Sequence, residues 1–365
     1  MNPPLSGPEA IDADALVGRL FTATIGALEL FHVYLGDRLG LYSALADHGA
    51  LTSAGLSSAA KINERYAREW LEQQAVAGLL LAESGVGADG RAYRLAPAYA
   101  QVLLDADSLR FMAPVARAVV GIAAVLPEVM GAFRNGGGVP YEAYGADMRA
   151  SISAGNRPRF INLLGSDWLP AVPDVDRRLR ANPPARVADV GCGTGWSSIA
   201  IAQSYPLVQV DGFDLDLASV VEARNNAARA GVADRVSFEL RDAGDPRLAG
   251  SYDLVMAFET IHDMSDPVGA LRAMRSLAGS GGAVLIGDEK VAEEFTAPGD
   301  EQERYMYGWS ALHCLAVGMV AADSVGTGTV MRPSRLREYA LDAGFATLEV
   351  LPIADDAWRF YRLSG

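Results

Sequence analysis

Apolar residues in the first hundred positions recur at steps of three and four. From Asp14 onward, Leu16, Leu20, Ala23, Ala27, Phe31 and Leu35 share one face of a long helix, which packs on its own domain or on a partner subunit. DRLGLYSALADHG predicts a second helix stopped by Gly49. Thr52 caps a short third in LTSAGLSSAAKI, and Asn63 caps a fourth through NERYAREWLEQQAVAGLL, with Tyr66, Trp70 and Leu71 on its inner side. The segment LLLAESGVGADGRAYRLAP then alternates and turns through Gly85, Gly87 and Gly90, a hairpin pattern. Helical periodicity returns over 99–135 and breaks at Gly136 to Gly138. Regularity is then weak up to Arg186. That stretch carries Tyr141, Tyr144, Phe160 and Trp168, which suit either plain core or a pocket wall.

From Arg186 short apolar runs alternate with helical patterns. Strands are predicted at 187–190, 208–216, 235–243, from 252 and at 281–290, with helices at 196–204, 217–231 and 266–279. An insertion at 291–331 has a helical middle and a flexible end, Ser324 to Gly328. A helix at 334–343 and the strands ATLEVLPI and WRFYRL follow. Right-handed crossovers make such alternation a parallel sheet covered on both faces. The short ADDA turn makes the last two strands antiparallel to each other. The pattern predicts an α/β fold: a seven-stranded Rossmann-like sheet at 171–365, and a mostly helical, winged-helix-like domain at 1–170.

Charge narrows the partners. The 365 residues carry a formal net charge of −14, with pI near 4.8, a field that repels nucleic acid and anionic membrane. Lysine occurs only at Lys61 and Lys290. The outward residues of the Asn63 helix, Glu64, Arg65, Arg68, Glu69 and Glu72, mix signs where a phosphate reader needs a basic face. Dimerisation is thus favoured over DNA binding for the N-terminal domain. The two cysteines, Cys192 and Cys314, fit no disulfide or ligand framework, and the N-terminus has no signal-peptide pattern. No run of about 18 uninterrupted apolar residues appears. The expectation is a soluble protein in a reducing cytoplasm.

The stretch Arg186 to Ala202, RVADVGCGTGWSSIAIA, joins a strand, a glycine turn and a helix N-terminus, the grammar of a nucleotide-binding unit. A dinucleotide fingerprint would need glycine at 196, where Trp196 stands. Asp189, Gly191, Gly193 and Gly195 resemble instead the first motif of the class I S-adenosylmethionine (SAM) dependent methyltransferases. That resemblance implies SAM as cofactor and a sheet ending in an antiparallel hairpin. It implies that Asp189 reaches the ammonium, that Asp214 accepts both ribose hydroxyls with Asp216 as a rival, and that Asp242 accepts from adenine. Cys192, Leu215, Ala243 and Phe258 complete the implied cofactor set.

The loop Phe258 to Asp266, FETIHDMSD, resembles a segment of small-molecule O-methyltransferases, many of which carry a winged-helix-like N-terminal domain that dimerises and helps close the substrate pocket. The resemblance implies His262 as general base in an in-line methyl transfer, with Asp263 or Glu303 orienting it. The imidazole titrates near neutrality, so the role suits it. Insertions at 291–331 commonly form a substrate lid in that family; a packing helix is the plainer reading. Tyr305, Met306, Trp309, His313 and Met319, with Phe160 and Trp168, are the candidate acceptor contacts, and they imply a small, largely apolar molecule. His313 beside Cys314 lacks the further ligands that zinc needs, so no metal is expected. Two other readings stay open: N- or C-methylation, and a winged-helix regulator that senses SAM.

Overall fold

In the computed structural model, which describes residues 13–83, 90–242, 245 and 252–365, the chain opens with the helix α1 (Ala13–Arg38). Three shorter helices follow, α2 (Leu41–His48), α3 (Ser53–Ala60) and α4 (Glu64–Val76). The strands β1 (Leu81–Glu83) and β2 (Ala92–Arg94) pair antiparallel before α5 (Pro97–Leu103). Thr52 Oγ1 accepts from the Gly55 amide at 3.2 Å, and Asn63 Oδ1 from that of Arg65 at 2.9 Å, so both expected caps form. Leu41, Tyr42, Leu45, Leu56, Trp70, Leu71 and Tyr93 make the core. The inner stripe of α4 is Ala67, Trp70, Leu71 and Gln74, and Tyr66 is 77% exposed. Ala67 lies three residues before Trp70 and four before Leu71, so it shares their face, whereas Tyr66, five before Leu71, falls at its edge. Gly85 and Gly87 of the hairpin lie outside the described residues; Gly90 is within them.

Only the C-terminal end of α1 packs on its own domain, through Leu30, Val33, Tyr34 and Gly36. Only Val33 and Gly36 are buried in the helix, while Leu16, Val17, Leu20, Phe21 and Leu28 are exposed. Its length and composition also meet those of a membrane span.

The chain divides into two compact units, Met1–Val120 and Gly121–Gly365. This division falls well before the boundary expected at 170. The reason is packing: Phe160, Leu164, Trp168, Val175 and Leu179 belong to the same core as the large sheet. Helix α6 (Ala113–Ala124) straddles the division; α7 (Leu126–Asn135), α8 (Gly145–Arg159) and α9 (Pro173–Leu179) follow, with a π-helical stretch at Phe160–Trp168.

The second unit is built on seven strands in the order β5-β4-β3-β6-β7-β9-β8. They are β3 (Arg186–Val190), β4 (Gln209–Asp214), β5 (Val236–Leu240), β6 (Leu254–Phe258), β7 (Ala283–Glu289), β8 (Thr347–Val350) and β9 (Trp358–Ser364). Only β9 is reversed, pairing antiparallel with both β7 and β8. β6 is buried at every position, as suits a central parallel strand covered on both faces. Between strands lie α10 (Trp196–Ser204), α11 (Leu217–Arg229), α12 (Pro267–Ala278) and α15 (Pro333–Asp342). The insertion folds as α13 (Glu301–Trp309), a π turn at Ser310–Cys314 and α14 (Leu315–Gly318).

Candidate active site

Ligand sites of open α/β sheets lie beyond the carboxyl ends of the strands, and the candidate residues gather there. β3 runs into a turn in which Gly191, Gly193 and Gly195 all have positive φ, at 68°, 51° and 83°. Their reasons for being glycine differ. A Cβ on Gly191 would strike the Thr260 side chain, and one on Gly195 would sit 2.5 Å from Phe238 Cζ. A Cβ on Gly193 would meet nothing within 4 Å. Two glycines therefore serve packing, while Gly193 bares its backbone to an open cradle in which a ligand can lie.

Asp189 is turned inward. It is 1% exposed, and its Oδ2 accepts from Ser197 Oγ and Ser198 Oγ, both at 2.6 Å. Burial pushes its carboxyl up to about 6 despite those two hydroxyls. In this geometry its Oδ2 anchors the first turn of α10. Cys192 contributes only backbone to the turn, because its side chain is buried in the core.

Asp214, at the end of β4, accepts from the Gly193 amide at 2.7 Å and the Asp216 amide at 2.8 Å. Burial raises its pKa, and the two backbone bonds oppose that. They hold the carboxylate at the rim of the cradle, where it suits a diol. Its rival Asp216 is otherwise engaged. It caps α11 through the Ser219 amide and hydroxyl, at 2.9 and 2.6 Å, and pairs with Arg149 Nε at 2.6 Å. Leu215 stands exposed beside Asp214, and Asp242 is exposed beyond β5. Ala243 lies outside the described residues.

The residues after β6 make the second half of the site. Glu259 has φ 51°, and its carboxylate accepts from Asn156 Nδ2 at 2.5 Å and from Trp358 Nε1. Burial raises its carboxyl and that of Glu289, and the Glu259 charge adds to the rise at Glu289. His262 is 3% exposed, and its Nδ1 lies 2.7 Å from Asp288 Oδ1. Neither expected partner orients the ring. Glu303 is committed to Arg332, at 3.0 Å, and to the Ala292 amide, at 2.8 Å. Asp263 lies near His262 without that bond, its carboxyl raised to about 7 by burial. The signal for Asp288 was its place at the end of β7: Phe258 pairs with Gly287, which sets Asp288 beside the loop that follows β6. Burial alone would push the His262 imidazole down; the Asp288 carboxylate and the Cys314 sulfur outweigh it and hold it well above its ordinary value.

Three predicted contacts prove to be core. Phe258, Phe160 and Trp168 pack with Trp358 and Phe360, with centroid separations of 5.5 Å for Phe160–Phe258 and 4.7 Å for Trp168–Phe360. Their size is used for packing beneath the sheet. The insertion does come to the His262 loop. Ser265 Oγ donates to the Gly318 carbonyl at 2.7 Å, and the Gly328 amide to that of His262 at 2.9 Å. The segment 324–328 is thus bonded down, contrary to its glycine-rich composition. His313 is buried 4.7 Å from the Tyr144 ring, 5.9 Å from Tyr141 and 6.0 Å from Trp309. Tyr305 is half exposed against Trp309, Met306 is buried, and Met319 packs against Gly326. Tyr141, expected as core or pocket wall, is half-buried against His313, and burial, then the charges of Asp214, Asp216 and Asp263, push its phenol up.

Residues 182–336 match a family model described as a methyltransferase domain, and 26–104 match one described as an Rv2258c-like winged helix-turn-helix domain. Human N-acetylserotonin methyltransferase, solved in complex with SAM, superposes with a TM-score of 0.72 at 16% identity, over 99% of this chain and 100% of that one. The 27-O-demethylrifamycin SV methyltransferase of Amycolatopsis mediterranei is 36% identical over 104 residues, 28% of this chain and 38% of that protein. Ajmaline N-methyltransferase of Rauvolfia serpentina is 34% identical over 104 residues, 28% and 35% of the two chains. The matched segments span between 24% and 45% of the curated relatives. By family model, the second unit holds a methyltransferase domain, and it shares the fold of a methyltransferase solved with SAM. In this chain it is joined to an Rv2258c-like winged-helix domain.

Proposed function

We propose that the chain is a SAM-dependent methyltransferase of small, largely apolar organic acceptors, with a hydroxyl oxygen as the atom methylated. The observation that carries this reading is the buried His262–Asp288 pair, 2.7 Å apart, on the loop that follows the central strand of a SAM-type sheet. Bound SAM supplies an electrophilic methyl group for in-line displacement. The cradle over Gly193 and the carboxylate of Asp214 fit its nucleoside end. Asp288 fixes His262 with Nδ1 engaged, which leaves Nε2 as the nitrogen to take the acceptor proton. Tyr141, Tyr144, Trp309 and Met319 supply the apolar walls that such an acceptor needs.

The exposed apolar face of α1 supports a homodimer formed through the N-terminal unit. The free cysteines support a reducing, cytoplasmic setting. The similarity to an N-methyltransferase keeps transfer to nitrogen as a second reading, for which a base is less necessary. His262→Ala separates the two: a loss of more than about a hundredfold in kcat/KM with SAM binding intact supports transfer to a hydroxyl, and near-normal turnover supports nitrogen.

A further inference from the structure

The helix α8 (Gly145–Arg159) lies between the segments that the two family models match, 26–104 and 182–336. Arg149, Ser153 and Asn156 follow one another along it at steps of four and three, so they share one face. That face is tied to all three strand ends of the candidate site. Beyond β4, Arg149 Nε donates to Asp216 Oδ2 at 2.6 Å and its Nη2 to Oδ1 at 3.4 Å. In the glycine turn beyond β3, Ser153 Oγ lies 2.6 Å from Thr194 Oγ1 and accepts from Trp196 Nε1 at 3.2 Å. Beyond β6, Asn156 Nδ2 donates to the Glu259 carboxylate at 2.5 Å. The Arg157 guanidinium adds a contact over the Trp196 ring, 4.2 Å from its centroid.

The tie at Arg149 leads on to the cradle. The Asp216 amide donates to Asp214 Oδ1 at 2.8 Å, and the Gly193 amide to Asp214 Oδ2 at 2.7 Å. Two hydrogen bonds therefore connect the Arg149 guanidinium to the carboxylate that suits a diol. The Arg149 and Asp216 side chains are only 14% and 15% exposed, so water screens this pair far less than a surface pair. A neutral side chain at 149 would leave the Asp216 charge mostly buried and uncompensated, two residues from Asp214. Resting on the reading of Gly193 and Asp214 as the cradle for SAM, we propose that Arg149 is a positioning residue of the cofactor site. It fixes Asp216, and through the Asp216 amide it sets the Asp214 carboxylate for the ribose diol, with α8 as a clamp across the strand ends. The same bond keeps the rival carboxylate of Asp216 away from the ligand.

The test is calorimetric titration of the full chain with SAM and with methylthioadenosine, which keeps the ribose diol and lacks the amino-acid end, beside thermal unfolding of the unliganded chain. Arg149→Ala is expected to raise Kd about tenfold or more for both ligands. Arg149→Lys keeps the charge without the planar fork and is expected to recover part of that loss. Asp216→Asn removes the carboxylate and keeps a good N-cap residue for α11. Added to Arg149→Ala, it should weaken binding no further than the worse single change, because both act through one contact. Independent packing defects would add instead. Three results overturn the proposal: affinity within about twofold of wild type in Arg149→Ala, full additivity in the double variant, or a loss seen with SAM and absent with methylthioadenosine. If Arg149→Ala does not fold, Asp216→Asn decides, and wild-type affinity there overturns the proposal. Asp214→Asn separates the clamp from the cradle. Weakened binding in Asp214→Asn beside an unaffected Arg149→Ala overturns the clamp alone, and unaffected binding in Asp214→Asn overturns both.

Discussion

The three glycines of the turn should fail in different ways when each receives a methyl group. At Gly193 the new Cβ meets nothing within 4 Å, so the cost to folding is the left-handed conformation alone, about 1 kcal/mol at φ 51°. For a unit of this size that is roughly a 2–4 °C fall in Tm. At Gly195 the same conformational cost is joined by overlap with Phe238 Cζ at 2.5 Å and Cε1 at 2.8 Å. Phe238 is buried and cannot swing away, so overpacking adds about 1–3 kcal/mol. If SAM lies against the Gly193 backbone, the methyl occupies its place, and losing that approach should cost at least about 1.4 kcal/mol, a tenfold rise in Kd. The assay is calorimetric titration with SAM alongside thermal unfolding of Gly193→Ala and Gly195→Ala. The expected pattern is a nearly native Tm with impaired binding for Gly193→Ala, and a clearly lower Tm for Gly195→Ala. Wild-type SAM affinity in Gly193→Ala, within about twofold, would refute the placement of the cradle.

Asp288→Asn should lower kcat/KM by about a hundredfold or more, as amide substitution of a buried histidine partner does, and shift the acid limb downward by removing the charge that raises His262. An unchanged pH profile would count against the pair. Asp189 links folding to pH: its folded pKa of about 6 exceeds the ordinary carboxylate value, so the native state binds the extra proton. Stability from this group is full below about pH 4 and is lost as pH rises through about 6. Denaturant melts of Asp189→Asn against wild type should show that difference slope disappear. Phe21→Glu should yield monomers by sedimentation, because it charges the exposed face of α1; a wild-type monomer, or wild type that partitions onto neutral lipid vesicles, would contradict the dimer.

Much of the architecture was legible because it rests on local signals. Strand and helix periods, the ADDA turn and the capping residues each act within a few positions. The cradle was legible at Gly193 and Asp214, where backbone conformation and a strand end dictate residue type. What escaped depends on tertiary register. Asp288 reaches His262 only through the pairing of β6 with β7, and a π turn that buries adjacent residues has no period to reveal it. Phe160 and Trp168 were equally suited to a pocket wall or a core, and only the packed sheet decides between them. Motif spacing reports position along the chain and is silent on local partners, so the Ser197 and Ser198 hydroxyls bonded to Asp189 Oδ2 were not legible.

The central claim is methyl transfer to a small molecule at His262. Its most direct test incubates the purified chain with methyl-labelled SAM and a metabolite extract of the source organism, then identifies the labelled compounds by mass spectrometry. The account predicts a labelled, largely apolar product with the new methyl on oxygen, absent when His262→Ala or Asp214→Asn replaces wild type. SAM binding with no labelled product in repeated extracts would contradict it, and would favour the SAM-sensing winged-helix regulator.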